Sequence, residues 1–176
     1  MSSKPKLKIE FKFPKWFEAI SAHEDQLLDE VAATILTNRA QMFDAGGASN
    51  GHQAWEPLKL RKGVPLSDTG TLRRSLSPGG ANGKPGPGGV VKKTRDIVSI
   101  STTIAYAAIQ NQGGIIRPTQ KSVLSWKVGK RRYFAKKVEI PARPFLGNKS
   151  WNQQDQDEVN QVLSAKIARI LNEAGL

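Results

Sequence analysis

The sequence predicts an α+β domain: a mostly antiparallel sheet of about five strands covered on one face by two main helices, with long loops between them. Three observations predict it. Two segments, one before residue 45 and one after residue 152, repeat apolar side chains at helical spacing. Between them run short β-branched stretches that alternate apolar with polar. Glycine and proline, 16 and 10 of 176 residues, crowd into segments that suit neither pattern.

In chain order, "LKIEFKF" places Leu7, Ile9, Phe11 and Phe13 at the period of a half-buried strand that Pro14 ends, so residues 1–20 read as an N-terminal strand or arm and 21–176 as a single domain. Ser21 and Glu24 have capping-box spacing before a helix whose stripe is Leu28, Val31, Ile35 and Met42. Residues 45–67 form a long loop anchored by Trp55 and Leu58, and loops of that length in compact domains usually carry function or assembly contacts. "SDTGTLRRSL" suits one or two helical turns with Leu72 and Leu76 on one side, whereas "SPGGANGKPGPGG" has no periodic apolar face and reads as a loop tip or hairpin excursion. "DIVSIST" is a strand, with Ile97 and Ser99 opposite Val98 and Ile100, and "IAYAAIQNQGG" a helical turn closed at Gly113-Gly114. "SVLSWKVGKRRYFAKKVEI" reads as two strands about a "VGKR" turn. The last helix shows Val159, Val162, Leu163, Ile167, Ile170 and Leu171 on one stripe, with acids at its start and Arg169 near its end.

Charge is unevenly spread. Residues 1–58 hold 6 basic and 8 acidic side chains, residues 59–150 hold 19 and 3, and residues 151–176 hold 2 and 4. A middle of +16 between two flanks of −2 raises the odds of a polyanionic or acidic partner. The absence of Cys excludes disulfides, thiolate catalysis and cysteine-bound zinc. No apolar run approaches the ~20 residues of a membrane span, which points to a soluble chain made in the cytoplasm with no membrane partner.

Catalytic chemistry finds no foothold, and no enzyme, metal or cofactor is expected. Gly83-Lys84 fails as a phosphate loop, since Pro78 and Pro85 stand where such a loop needs Gly and Ser or Thr. His23 and His52 lack partners at ligand spacing and read as ordinary surface histidines. Asp25, Asp29 and Glu30, the alternative as nuclease carboxylates, read as early helical acids that satisfy the dipole.

Two constellations remain. The "KVGKRRYFAKK" hairpin carries Lys127, Lys130, Arg131, Arg132, Lys136 and Lys137, set to face DNA or an acidic subunit, while Trp126, Tyr133 and Phe134 read as its buried face. After it, "IPARPFLG" is straightened by Pro141 and Pro144 into a rigid arm. The arm presents Phe145 and Leu146 to a pocket in the same chain or a neighbour, and Arg143 to a carboxylate.

Four phrases in this order, "AWEPLK", "LSDTGTLRRSL", "YAAIQNQGG" and "IPARPFLG", resemble the virion morphogenesis and tail completion proteins of tailed phages, the Mu-like kind, and more widely their tail terminator proteins. The resemblance covers roughly residues 24–174. It departs from the family pattern at Gln110-Asn111-Gln112, where His usually precedes Gln, and in the long Gly-rich stretch before Val90. It implies a non-enzymatic structural protein of the virion neck or tail: a homo-oligomeric ring, expected to be hexameric, that completes the tail and supports head-tail joining. It also implies tail tube or head connector partners and non-specific contact with the genome in its lumen. Subunit contacts are then expected at Trp55, Pro57, Leu58, Leu72, Tyr106, Gln112, Pro141, Arg143, Pro144, Phe145 and Leu146. A basic nucleic-acid-binding module and a head-side connector or stopper are the alternatives.

Overall fold

A computed structural model of the protein describes residues 15–79, 84–94 and 97–176. Two helices of 21 residues, α2 (Glu24–Asp44) and α5 (Gln153–Glu173), pack on each other and carry much of the fold. A short helix α1 (Lys15–Ser21) precedes α2 and rests on α5. Because α1 is itself helical, Ser21 ends it and does not cap α2. His23 stands at the α2 N-cap with no side-chain cap, its Nδ1 lying 2.8 Å from the Ala19 carbonyl, which corrects the expected Ser21–Glu24 box. The capping box of this chain is at α5, where the Asn152 side chain accepts from the Asp155 N–H and Asp155 accepts from the Asn152 N–H.

The buried stripe of α2 is Ala32, Leu36, Arg39, Met42 and Phe43; Leu28, Val31 and Ile35 are half-buried, so the face turned to the core lies about one position beyond the apolar stripe. On α5, Val159 and Ile170 are buried and the other stripe residues half-buried. The strand expected at Leu7–Phe13 lies outside the described residues.

Among the described residues the strands do not join into a single sheet of about five. The described strands make three separate antiparallel pairs: β1 (Gly89–Thr94) with β2 (Ile97–Thr102), β3 (Gly114–Ile116) with β6 (Val138–Ile140), and β4 (Leu124–Val128) with β5 (Arg131–Ala135). Proline is the physical reason for the shortest pair, since Pro118 follows β3 by two residues and Pro141 ends β6. The expected two-strand hairpin also divides, because Lys136 and Lys137 break the run between β5 and β6.

α3 (Thr71–Ser75) buries Leu72, and Leu76 follows it into the core; Asp44 at the end of α2 accepts Arg73 Nε at 2.7 Å and Nη2 at 2.6 Å, fixing α3 against α2. That bidentate bond holds the Asp44 carboxyl below its usual range and raises the Arg73 guanidinium. The Gly-rich stretch leaves α3 as the base of a hairpin, with Pro78 opposite Pro85 and the Gly86 N–H donating to the Ser77 carbonyl at 3.0 Å. Gly86 and Gly89 lie so close to α3 that an added Cβ would come 2.1 Å from the Arg74 carbonyl oxygen and 1.9 Å from that of Ser75. No larger residue fits there.

The core joins the helices to the loops. Phe43 meets Trp55 edge-on and Phe145 at a tilt, each with ring centroids 5.4 Å apart, and Met42, Leu72, Leu76 and Ala107 close around them. Burying each of these large side chains contributes about 1.5–3 kcal/mol.

Candidate functional site

The arm is not held by its prolines alone. α4 (Ala107–Gln112) ends beside it, and the Asn111 side chain clamps it: Asn111 Oδ1 accepts the Phe145 N–H at 2.8 Å and the Leu146 N–H at 3.0 Å, while Asn111 Nδ2 donates to the Leu146 carbonyl at 3.1 Å. The Arg143 N–H donates to the Gln110 carbonyl and Trp55 Nε1 to the Pro144 carbonyl, at 3.0 and 3.1 Å. Asn111 thus does a specific job at the position where the sequence departs from the family pattern.

Arg143 does not pair with a carboxylate as expected. Its Nε and Nη2 donate to the backbone carbonyl of Glu56 at 3.3 and 3.1 Å, because the Glu56 carboxylate turns outward to Lys59 at 3.1 Å. Burial lowers the Arg143 guanidinium from its ordinary value, and the Glu56 charge opposes that.

Held this way, the arm forms one wall of an apolar groove of about 740 Å³. Pro57, Leu58 and Leu60 of the long loop form a second wall, Leu66, Thr69 and Leu72 a third, and Tyr106 of the turn before α4 with Trp126 and Val128 of β4 a fourth, while Lys59, Arg61, Asp68 and Glu139 add charge to the lining. The four phrases, scattered over about ninety residues of chain, supply residues to this one concavity.

Of the expected contact residues, Pro57, Leu58, Leu72, Tyr106, Pro141 and Arg143 line the groove. Gln112 is exposed outside that lining. Trp55 and Phe145 are buried in the chain's own core beneath it, with Pro144 half-buried beside them. Leu146 looks to the other side, into a smaller cavity of about 220 Å³ shared with Ile35 and Trp151.

Lys127, Lys130, Arg131, Arg132, Lys136 and Lys137 are all exposed. Trp126 and Tyr133, directly paired in the ladder, stack at 5.8 Å and are half-buried on the groove side. Phe134 does not join them as expected. Alternation along β5 puts it on the opposite face, 62% exposed, with Lys127 and Arg132, which are themselves paired across the ladder.

A buried charged cluster had no counterpart among the expected sites. Arg39, 2% exposed, donates Nη2 to Asp155 Oδ1 at 2.9 Å and Nη1 to the Ser150 carbonyl; Asp155 is fully buried. His52 is no ordinary surface histidine, since its Nε2 lies 2.7 Å from Asp155 Oδ2. Burial alone would raise the Asp155 carboxyl, but the His52 hydrogen bond, the Arg39 charge and the Asn152 N–H hold it below its usual range. The available signal was spacing: Arg39 falls on the same helical stripe as Ala32, Leu36 and Phe43.

Asp29, one of the carboxylates weighed for a nuclease, is bonded to Lys93 of β1. Among the described residues there is no group of three or more His, Cys, Asp or Glu placed to hold a metal, and no helix long and apolar enough to cross a membrane.

The chain is 33% identical to "Mu-like prophage FluMu G protein 2" of Haemophilus influenzae over 126 residues, 72% of this chain and 67% of that protein. Neither a family model nor a solved structure matches it.

Proposed function

From the premise that the chain belongs to the family of the Mu-like prophage FluMu G protein 2, we propose that it is a structural protein of a phage virion, acting as a tail completion or tail terminator protein in a homo-oligomeric ring at the head-tail junction. The observation that carries this reading is the convergence of the four phrases on one exposed, largely apolar groove. A contiguous apolar concavity on a surface marks an interaction site, and here it is built to receive protein. Tail tube or head connector proteins are the outer partners. Particles made without the chain are expected to show detached heads and tails by electron microscopy, and particles that carry it a ring at the junction. Complete, infective particles without it would refute the assignment.

The far face of the β4–β5 hairpin favours a second contact. Lys127 and Arg132 stand side by side with the exposed ring of Phe134, a cationic surface with a stacking platform and no helix to enter a groove. This face suits weak, sequence-independent contact with a genome passing through the ring. Replacing Lys127 and Arg132 by Glu is expected to weaken binding of short DNA duplexes equally for all sequences. The same change should reduce the slope of log affinity against log salt by about two. An unchanged slope would remove DNA contact from this face, and a tight sequence-selective complex would favour a nucleic-acid-binding module in place of a neck protein.

A further inference from the structure

Between Ser49 and His52 the chain makes a tight turn against the start of α5. The His52 N–H donates to the Ser49 carbonyl at 2.8 Å, and Asn50 and Gly51 both stand in the left-handed region, at φ 47° and 72°. Those are the φ values of a type I′ turn, for which Asn-Gly is the preferred pair. A larger residue at position 51 would also press on α5, since an added Cβ comes 2.9 Å from Gln154 Oε1. The turn completes the buried cluster. Asn50 Nδ2 donates to Glu158 Oε2 at 2.8 Å and lies 3.4 Å from Asp155 Oδ1, the Asn50 carbonyl accepts Asn152 Nδ2 at 2.6 Å, and His52 reaches Asp155.

The pair that suits the turn is also the pair most prone to lose its side-chain amide, because glycine has no side chain to shield its nitrogen. We propose that Asn50 is a deamidation site held shut by the docking of α5, so that conversion of this residue marks chains in which α5 has not docked. In the reaction the Gly51 nitrogen bonds to Asn50 Cγ, the Cγ–Nδ2 bond breaks, and Nδ2 leaves as ammonia with the Gly51 proton. Water then opens the cyclic imide to aspartate or to its β-linked isomer. Closing the imide requires the Asn50 amide to leave Glu158 and Asp155, and the ring fixes ψ far from the left-handed value of the turn. Docked α5 therefore opposes the reaction, and a chain without docked α5 has no such restraint. The product is also a poor fit. A carboxylate at residue 50 would face Glu158 and Asp155 where an amide now donates to both, a like-charge contact beside a buried pair. The β-linked isomer lengthens the backbone inside the two-residue turn and moves His52 away from Asp155. This inference is independent of the ring reading.

Peptide mapping by mass spectrometry follows conversion at Asn50 in the folded chain and in the same chain unfolded in guanidinium chloride, where Asn82-Gly83 checks that the reaction runs. Conversion should be roughly ten- to hundredfold slower in the folded chain, the factor set by breaking a hydrogen bond to a charged group. Glu158→Ala, shown to be folded by circular dichroism, should convert faster than folded wild type, and Glu158→Gln, which keeps an acceptor, should stay slow. Asn50→Asp should melt below wild type, and adding Glu158→Gln should recover part of the loss. Equal rates in folded and unfolded wild type, or a folded Glu158→Ala protein as slow as wild type, overturn the guarding role of α5. Conversion at Asn82 without conversion at Asn50 in the unfolded chain overturns the site itself. An Asn50→Asp protein as stable as wild type overturns the consequence for docking.

Discussion

Phe145→Ala is expected to cost about 3–5 kcal/mol of folding stability, which lowers the melting temperature by roughly 6–20 °C for a domain of this size. The ring is fully buried between Phe43 and the base of the groove, and the Asn111 clamp holds its backbone in place, so the structure cannot collapse into the space the ring vacates. A total stability of about 5–15 kcal/mol leaves little margin after such a loss. Leu146→Ala, at a half-buried neighbour, should cost far less. Urea denaturation of both variants measures the contrast. A Phe145→Ala protein within about 1 kcal/mol of wild type would mean that this side chain does not reside in its own core and is available to a neighbouring subunit.

The second large effect belongs to Asp155. Removing its carboxylate leaves Arg39 buried and uncompensated and dismantles the α5 capping box, so Asp155→Ala is expected to cost about 3–5 kcal/mol. Adding Arg39→Met should return part of that loss, because no buried charge then remains unpaired. The acid limb of the stability curve gives an independent check. The folded carboxyl lies below its ordinary 3.8, so its contribution is fully present above that value and is lost as pH falls through the lower folded value. Asp155→Asn should flatten this limb. An Asp155→Asn protein with the wild-type acid limb would show that the carboxylate is not held ionised by Arg39 and His52.

Local signals were readable wherever they were sufficient. The long helices, the turn carrying Leu72 and Leu76, the α4 turn and the β4–β5 hairpin all follow from periodicity and turn residues in short windows. Strand pairing between distant segments was not readable in that way. β3 and β6 are three residues each and pair across more than twenty residues of chain, which local β preference does not specify, so the expected sheet of about five strands was not legible as the three pairs seen among the described residues. β1 escaped notice because its "VVKKT" run is short and adjoins the glycines. The groove was half legible. Its residues stand out as phrases, but their gathering is a tertiary event, and the same holds for the Arg39–Asp155 pair, which joins side chains 116 positions apart. Ser21 misled because its spacing to Glu24 is correct and only the helicity of the segment before it spoils the cap.

That pairing of α2 with α5 also sets a timetable for synthesis. When Arg39 leaves the ribosome, the Ser150 carbonyl that will receive it is 111 residues away, roughly 6–20 s of translation at bacterial rates. Over that interval Met42 and Phe43 can meet Trp55, Leu72 and Leu76, but the side of α2 that packs on α5 stays uncovered until nearly all of the chain has been made. A product cut short before α5 would leave that side of α2 and the Arg39 guanidinium without their partners.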